Sequence, residues 1–160
     1  PLTVELLAEV IQILQAQNPE VVGLDLYRST LRPPGSPDLI EALAAPNLIA
    51  IMNVGSTQGQ GEVPAPPTVE PERVGFNDFP TDSDGVIRRN LVFVRSPEGG
   101  YYSFALRVVM AYQNYLSDAL RAEENHLFLG DRAIRVLSAR DGGYQNVDSS
   151  GYQILLRYHT

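Results

Sequence analysis

The chain has 160 residues, 44% of them hydrophobic and 19% charged, with a formal net charge of −7. That balance fits one globular domain with a substantial core, excludes a disordered chain, and disfavours nucleic acid and anionic lipid, which need a concentrated basic face. All twelve cationic side chains are arginines and cysteine is absent, which excludes Schiff-base and P-loop lysines, thiol nucleophiles, thiolate metal sites and disulfides.

From the N-terminus, "TVELLAEVIQILQAQNP" predicts an amphipathic helix. Val4, Leu7, Ile11 and Leu14, joined by Leu6 and Val10, form its apolar face, and Asn18-Pro19 ends it. "VVGLDL" (21–26) reads as a short buried strand. In 36–45, Ser36 as N-cap, Pro37 at the first helical position and Asp38 in the first turn open a second helix. "NLIAIMNV" (47–54) is a second buried strand. Helix and strand in alternation predict an α/β sheet with parallel strands. Residues 55–73 hold four prolines, three glycines and two glutamines, and read as a long exposed loop and the mobile part of the domain.

"RVGFNDF" and "VIRRNLVFV" read as two strands joined around 80–85, an antiparallel portion from about 74 to 94. "YSFALRVVMAYQNYL" predicts a helix with Ser103 as cap and Phe104, Val108, Ala111, Tyr112 and Tyr115 on one face. "HLFLGDRAIRVL" is a hairpin turning at Gly130-Asp131. "YQILLRY" alternates Tyr152, Ile154, Leu156 and Tyr158 on the face of a half-buried strand. The expected fold is one layered α/β domain over 1–160, a largely parallel sheet flanked by helices with an antiparallel portion.

The densest polar segment is "DSDGVIRR" (82–89). Asp82 and Asp84 have the spacing of an aspartate nucleophile and general acid, the arrangement of a magnesium-dependent phosphatase or phosphotransferase. Pro80 interrupts the continuous strand such a pair needs, and no lysine follows. Read as a calcium loop, the segment puts Gly85 at the sixth position but Pro80 at the first and Leu91 at the twelfth, where carboxylates belong. The third reading is a turn, with Arg88 or Arg89 reaching back to Asp82, Asp84 or Asp78. Asp25, near the end of the first strand, is a candidate ligand group or a partner for Arg28 or Arg32. His126 and His159, far apart in sequence, read as ordinary residues, and neither a metal nor a cofactor is expected.

Taken in order, Gly23-x-Asp25, Gly75 and Asn77, Asp82-x-Asp84-Gly85-x-x-Arg88-Arg89 and Ser103-Phe104-Ala105-Leu106 resemble the second class of CHASE-type sensory domains, the cyclase/histidine-kinase-associated sensory extracellular domains. Asn77 stands one place closer to Gly75 than the family spacing. The resemblance covers roughly 3 to 158. It implies a non-enzymatic signal-input domain of a bacterial, often cyanobacterial, receptor, on the outer side of the cytoplasmic membrane. The output would be a cytoplasmic histidine kinase, a cyclase or a serine/threonine kinase. The chain opens into a helix and closes out of a strand, so it reads as a core fragment of a membrane-anchored parent. The expected partner is a small-molecule ligand at Asp25, Asp82, Asp84, Arg88 and Arg89, with a homodimer possible. A phosphotransferase, or a dimerisation module without ligand, is the alternative.

Overall fold

The computed structural model describes residues 2–29, 37–54, 62–96, 99–123 and 126–158. Helix α1 (Val4–Gln15) begins where the Thr3 hydroxyl accepts the Leu6 amide at 3.2 Å, filling one of the orphan donors of the first turn. Past its end Asn18 takes a left-handed conformation (φ 50), which asparagine tolerates better than most residues. Strand β1 (Val22–Leu24), helix α2 (Pro37–Leu43) and strands β2 (Leu48–Met52) and β3 (Val74–Phe76) follow. The three strands form a parallel sheet in the order β1-β2-β3. Ser36, the expected cap of α2, lies outside the described residues.

Central strand β2 is covered on both faces. Leu48 and Ala50 enter one core with Leu7, Ala8 and Ile11 of α1 and Leu39, Ala42 and Leu43 of α2. Ile49 and Ile51, also buried, point to the opposite face by strand alternation. Two-sided burial is why the β2 sequence is a continuous apolar run rather than an alternating one. On α1 the inward side is Leu7, Ala8 and Ile11, whereas Leu6, Val10 and Leu14 are exposed. The apolar stripe read from the sequence is therefore wider than the face that packs.

Beyond β3, strands β4 (Arg89–Ser96) and β5 (Gly99–Tyr102), helix α3 (Phe104–Tyr112), and strands β6 (Leu120–Ala122), β7 (His126–Leu129), β8 (Arg132–Arg135) and β9 (Tyr152–Leu155) complete the fold. They make two antiparallel sheets, β5-β4-β9 and β6-β7-β8. The α/β class is as expected, but the antiparallel part does not begin at 74. Strand β3 pairs parallel with β2, Ala50 opposite Val74, and its outer side meets the second sheet through a parallel bridge from Phe76 to Ser103. The expected Gly130-Asp131 hairpin forms, with Gly130 at φ 56, the left-handed geometry that a two-residue turn demands.

Helix α3 is clamped between two layers. Phe104 and Val108 lie against the parallel sheet at Gly23. Leu106 and Met110 enter a second core with Val92, Phe93, Leu127 and Leu129. Tyr112, expected on the packed face, is exposed, because the two buried sides leave it pointing outward.

Two further expectations change. Residues 62–73 are not a loop standing in solvent: Val63 pairs with Asn53, Pro66 and Val69 are buried, and Ala65 packs on the first core. From the 3-10 turn Pro71–Arg73, the Arg73 guanidinium donates to the carbonyls of Leu43, Ala45 and Leu48 at 2.8–3.3 Å, satisfying acceptors at the end of α2 and at the start of β2. Strand β9 ends at Leu155; Tyr152 and Ile154 pack on the second core as expected, and Gln153, on the opposite face, is buried as well. Tyr158 lies at the surface, its hydroxyl donating to the Ile87 carbonyl at 2.7 Å.

Candidate functional site

The turn at 82–86 is closed by its own backbone. The Gly85 amide donates to the Asp82 carbonyl at 2.9 Å and the Asp82 amide to the Val86 carbonyl at 3.0 Å. Gly85 sits at φ 81, in the left-handed region where a side chain is strained. This geometry delivers both carboxylates and both arginines to one place. Arg88 forks onto Asp84 with two bonds of 2.8 Å and reaches Asp82 Oδ2 at 3.1 Å. Arg89 holds Asp82 Oδ1 through Nε at 3.0 Å and through its terminal nitrogen at 2.9 Å.

The network then leaves the turn. Arg89 donates to Gln153 Oε1 at 2.9 Å and to the Asp148 carbonyl at 3.0 Å. Gln153 donates onward to the carbonyls of Asp148 and Ser150. The Tyr144 hydroxyl donates to Asp82 Oδ2 at 2.7 Å, and the Arg89 guanidinium lies 5.5 Å from the Tyr144 ring centre. Asp82 thus receives four donors from three side chains, and a turn is tied to a loop some sixty residues later. A buried polar group is tolerable only when satisfied, which explains why Gln153 occupies a buried position of β9.

The two arginines differ in environment. The Arg89 side chain is 6% exposed and that of Asp82 9%, whereas Arg88 is 46% exposed. The Tyr144 hydroxyl, and after it Arg88 and Arg89, hold the Asp82 carboxyl below its ordinary value against the opposing effect of burial. Arg88, with help from the Val86 amide, lowers Asp84 to about 2. Burial and the Asp82 carboxylate push Tyr144 upward.

Depressed folded-state values mean that these carboxylates stabilise the fold fully above the unfolded carboxylate range, near pH ~3.9. The contribution disappears as pH falls through the folded values. Between pH 5 and 2, Asp84→Asn is therefore expected to lose less stability than the unsubstituted chain in denaturant titrations. Parallel losses in the two proteins would contradict the pairing.

Asp25 belongs elsewhere. Its carboxylate accepts a 2.6 Å hydrogen bond from the Asn77 side chain, across the end of β2, where the Asn77 amide donates to the Met52 carbonyl. Asp78 accepts the Val54 amide at 3.1 Å. Asp25 therefore pairs with neither Arg28, whose guanidinium donates to the Tyr27 carbonyl, nor the arginines of the turn; Arg32 lies outside the described residues. The five candidate residues form two sets, Asp25 with Asn77 at the carboxyl edge of the parallel sheet, and Asp82, Asp84, Arg88 and Arg89 at the turn. Tyr144 and Gln153 were not singled out from the sequence, since only tertiary contact links them to the turn.

The chemistry of the turn is that of a cross-link. Every oxygen of Asp82 and Asp84 accepts at least one hydrogen bond, so an aspartate nucleophile would first have to be released from its cations. Among the described residues, no group of three or more His, Asp or Glu is placed to hold a metal ion. His126, at the start of β7, lies at the surface with its ring 6.0 Å from that of Phe128; His159 is outside the described residues.

The remaining motif residues also meet in space. The Ser103 hydroxyl caps α3 by accepting the Leu106 amide at 3.2 Å, which puts the Phe104 backbone against Gly75 and its ring against Gly23. The fold thus combines a parallel sheet whose two glycines seat the third helix with antiparallel sheets braced by the paired aspartate–arginine turn. The chain matches the CHASE2 domain over residues 1–160 and belongs to that family, whose members are extracellular sensory domains of signalling receptors. No curated protein and no solved structure matches it.

Proposed function

We propose that the chain is the extracytoplasmic signal-input domain of a bacterial membrane receptor, without catalytic activity of its own. Binding of a small molecule, or association of two copies, shifts a conformational equilibrium, and the shift passes through the membrane to a cytoplasmic kinase or cyclase. Such a shift carries only the difference in binding free energy between the two states, commonly ~1–3 kcal/mol. The observation that carries the reading is the family match over the whole chain. The saturated Asp82 and Asp84 carboxylates support it against the phosphotransferase alternative.

Cellular placement is tested with one thiol. The domain has no cysteine, so Ser83→Cys, on the exposed tip of the turn, introduces its sole reactive sulfur. In intact cells producing the receptor, a membrane-impermeant maleimide is expected to label this thiol above the unsubstituted background. Labelling that appears only after lysis would overturn the assignment.

A further inference from the structure

A hollow of about 490 Å³ opens between the chain leaving β8, the chain entering β9 and the end of β4. The volume falls within the range of small-molecule sites. Val136, Leu137 and Ala139 supply a short apolar wall, Ser149 and Tyr152 bring hydroxyls, and Arg95 is the one charged residue of the lining among those described. The Arg95 guanidinium donates from one terminal nitrogen to the Ala122 carbonyl and lies 5.9 Å from the Tyr152 ring centre. Its other two nitrogens make no hydrogen bond to a described residue, and no described carboxylate pairs with it. The chain has 19 acidic residues against 12 arginines, so an arginine without a counter-ion is unusual here. The anchor on Ala122 and the hollow beside it separate Arg95 from an ordinary surface arginine.

We propose that this hollow binds a small monoanionic sugar acid, its carboxylate on the remaining donors of Arg95 and its hydroxyls against Ser149 and Tyr152. A guanidinium presents five donors, of which the Ala122 carbonyl takes one. The planar group still offers an edge that grips a carboxylate with two parallel bonds. One cation sets the charge of the ligand. A phosphate ester carries nearly two negative charges at neutral pH, and would bring them to a single arginine in a chain of net charge −7. An α-amino acid adds an ammonium group, and no described carboxylate lines the hollow to receive it. A fatty acid would cover the Ser149 and Tyr152 hydroxyls with hydrocarbon and strip their water, whereas the hydroxyls of a sugar replace it. Position gives the site a signalling consequence. Arg95 belongs to β4 and Ala122 to β6, so the anchored guanidinium bridges the two antiparallel sheets. In the wall of the hollow the Leu137 amide donates to the Gln153 carbonyl at 2.8 Å, tying the exit of β8 to β9. An occupant therefore bears on the joint between the two sheets. The proposal supplies a ligand class for the sensor reading and rests on that reading for its purpose. Binding to the isolated chain is nevertheless measured independently of where the domain sits in the cell.

The test is calorimetric titration with glucuronate, gluconate, neutral glucose and dianionic glucose 6-phosphate, together with methyl NMR of Val136, Leu137 and Ala139. Expected is saturable binding of at least one of the two sugar acids, with shifts at those methyls and affinity for glucose lower by roughly 10- to 100-fold, the scale of a charged hydrogen bond. The phosphate ester is expected to bind more weakly than the better acid. Arg95→Met is expected to reduce that acid to the level of glucose. Ser149→Phe places a ring in the hollow and keeps Arg95, and is expected to abolish binding even if the arginine variant fails to fold. Binding of neither acid at about 10 mM, equal binding of glucose, tighter binding of the phosphate ester, or undiminished binding to Ser149→Phe would overturn the proposal.

Discussion

Arg89→Met is expected to lower the thermal midpoint by roughly 10 °C, corresponding to about 3 kcal/mol in a domain of this size. The substitution keeps much of the side-chain volume but removes donors to Asp82, Gln153 and the Asp148 carbonyl together. Breaking a buried pair is costly because the surviving partner is left desolvated. Arg88→Met is expected to cause only a small part of that shift, although Arg88 contacts the same aspartate, because solvent already screens its half-exposed guanidinium. Differential scanning fluorimetry of the two variants side by side checks the ranking. Equal shifts would mean that burial of the Arg89 contact is not what gives it weight.

Gly75→Val carries the second large effect, about 3 kcal/mol, or a similar fall in midpoint. A Cβ at Gly75 would stand 2.5 Å from Phe104 Cα and 2.6 Å from its nitrogen. Backbone on both sides of the clash leaves no side chain to swing away, so α3 must lift from the sheet. Gly23 makes the informative contrast. Its added Cβ would meet the Phe104 ring tip at 2.8 Å, the far end of a side chain that can tilt away by a few tenths of an ångström about χ1, so Gly23→Ala is expected to cost clearly less than Gly75→Ala. Circular dichroism melts of the two alanine variants decide this, and a larger loss at Gly23 would contradict the seating of α3 on the Gly75 backbone.

Local patterns in the sequence carry the elements whose physics is local. The Ser103 cap, the apolar run of β2 and the Gly130-Asp131 hairpin are legible because capping, two-sided burial and turn geometry act within a few residues. Strand β3 was misplaced in the expected antiparallel portion because three apolar residues state no partner. Its parallel pairing to β2 is set by the intervening segment, where buried Val69 and the Arg73 bonds fold the proline-rich chain back onto the core. Gln153, on the face of β9 opposite Tyr152 and Ile154, reads as a solvent-side residue and is buried instead because its partner is Arg89, sixty-four residues away.

For the candidate residues, the motif spacing exposed the aspartate–arginine pairing and left its reach unseen. Asp82-x-Asp84-Gly85 and the following arginines read as a possible turn. Nothing local in "DGGYQN" marks Tyr144 as the strongest influence on the Asp82 carboxyl. Asp25 and Asn77 occupy equivalent places two residues after Gly23 and Gly75, so strand alternation carries each to the same side as its glycine. Their direct bond follows from the parallel register, which the sequence does not state.

The central claim is that the Asp82–Arg89 element joins the turn to the 144–153 segment and acts as a structural tie, not as a catalytic pair. A double-mutant cycle of Asp82→Asn and Arg89→Met, read by chemical denaturation, tests it most directly. Strong coupling is expected, with the double variant losing clearly less stability than the sum of the single losses. Additive losses would show that the two side chains stabilise the fold independently, and would contradict the tie.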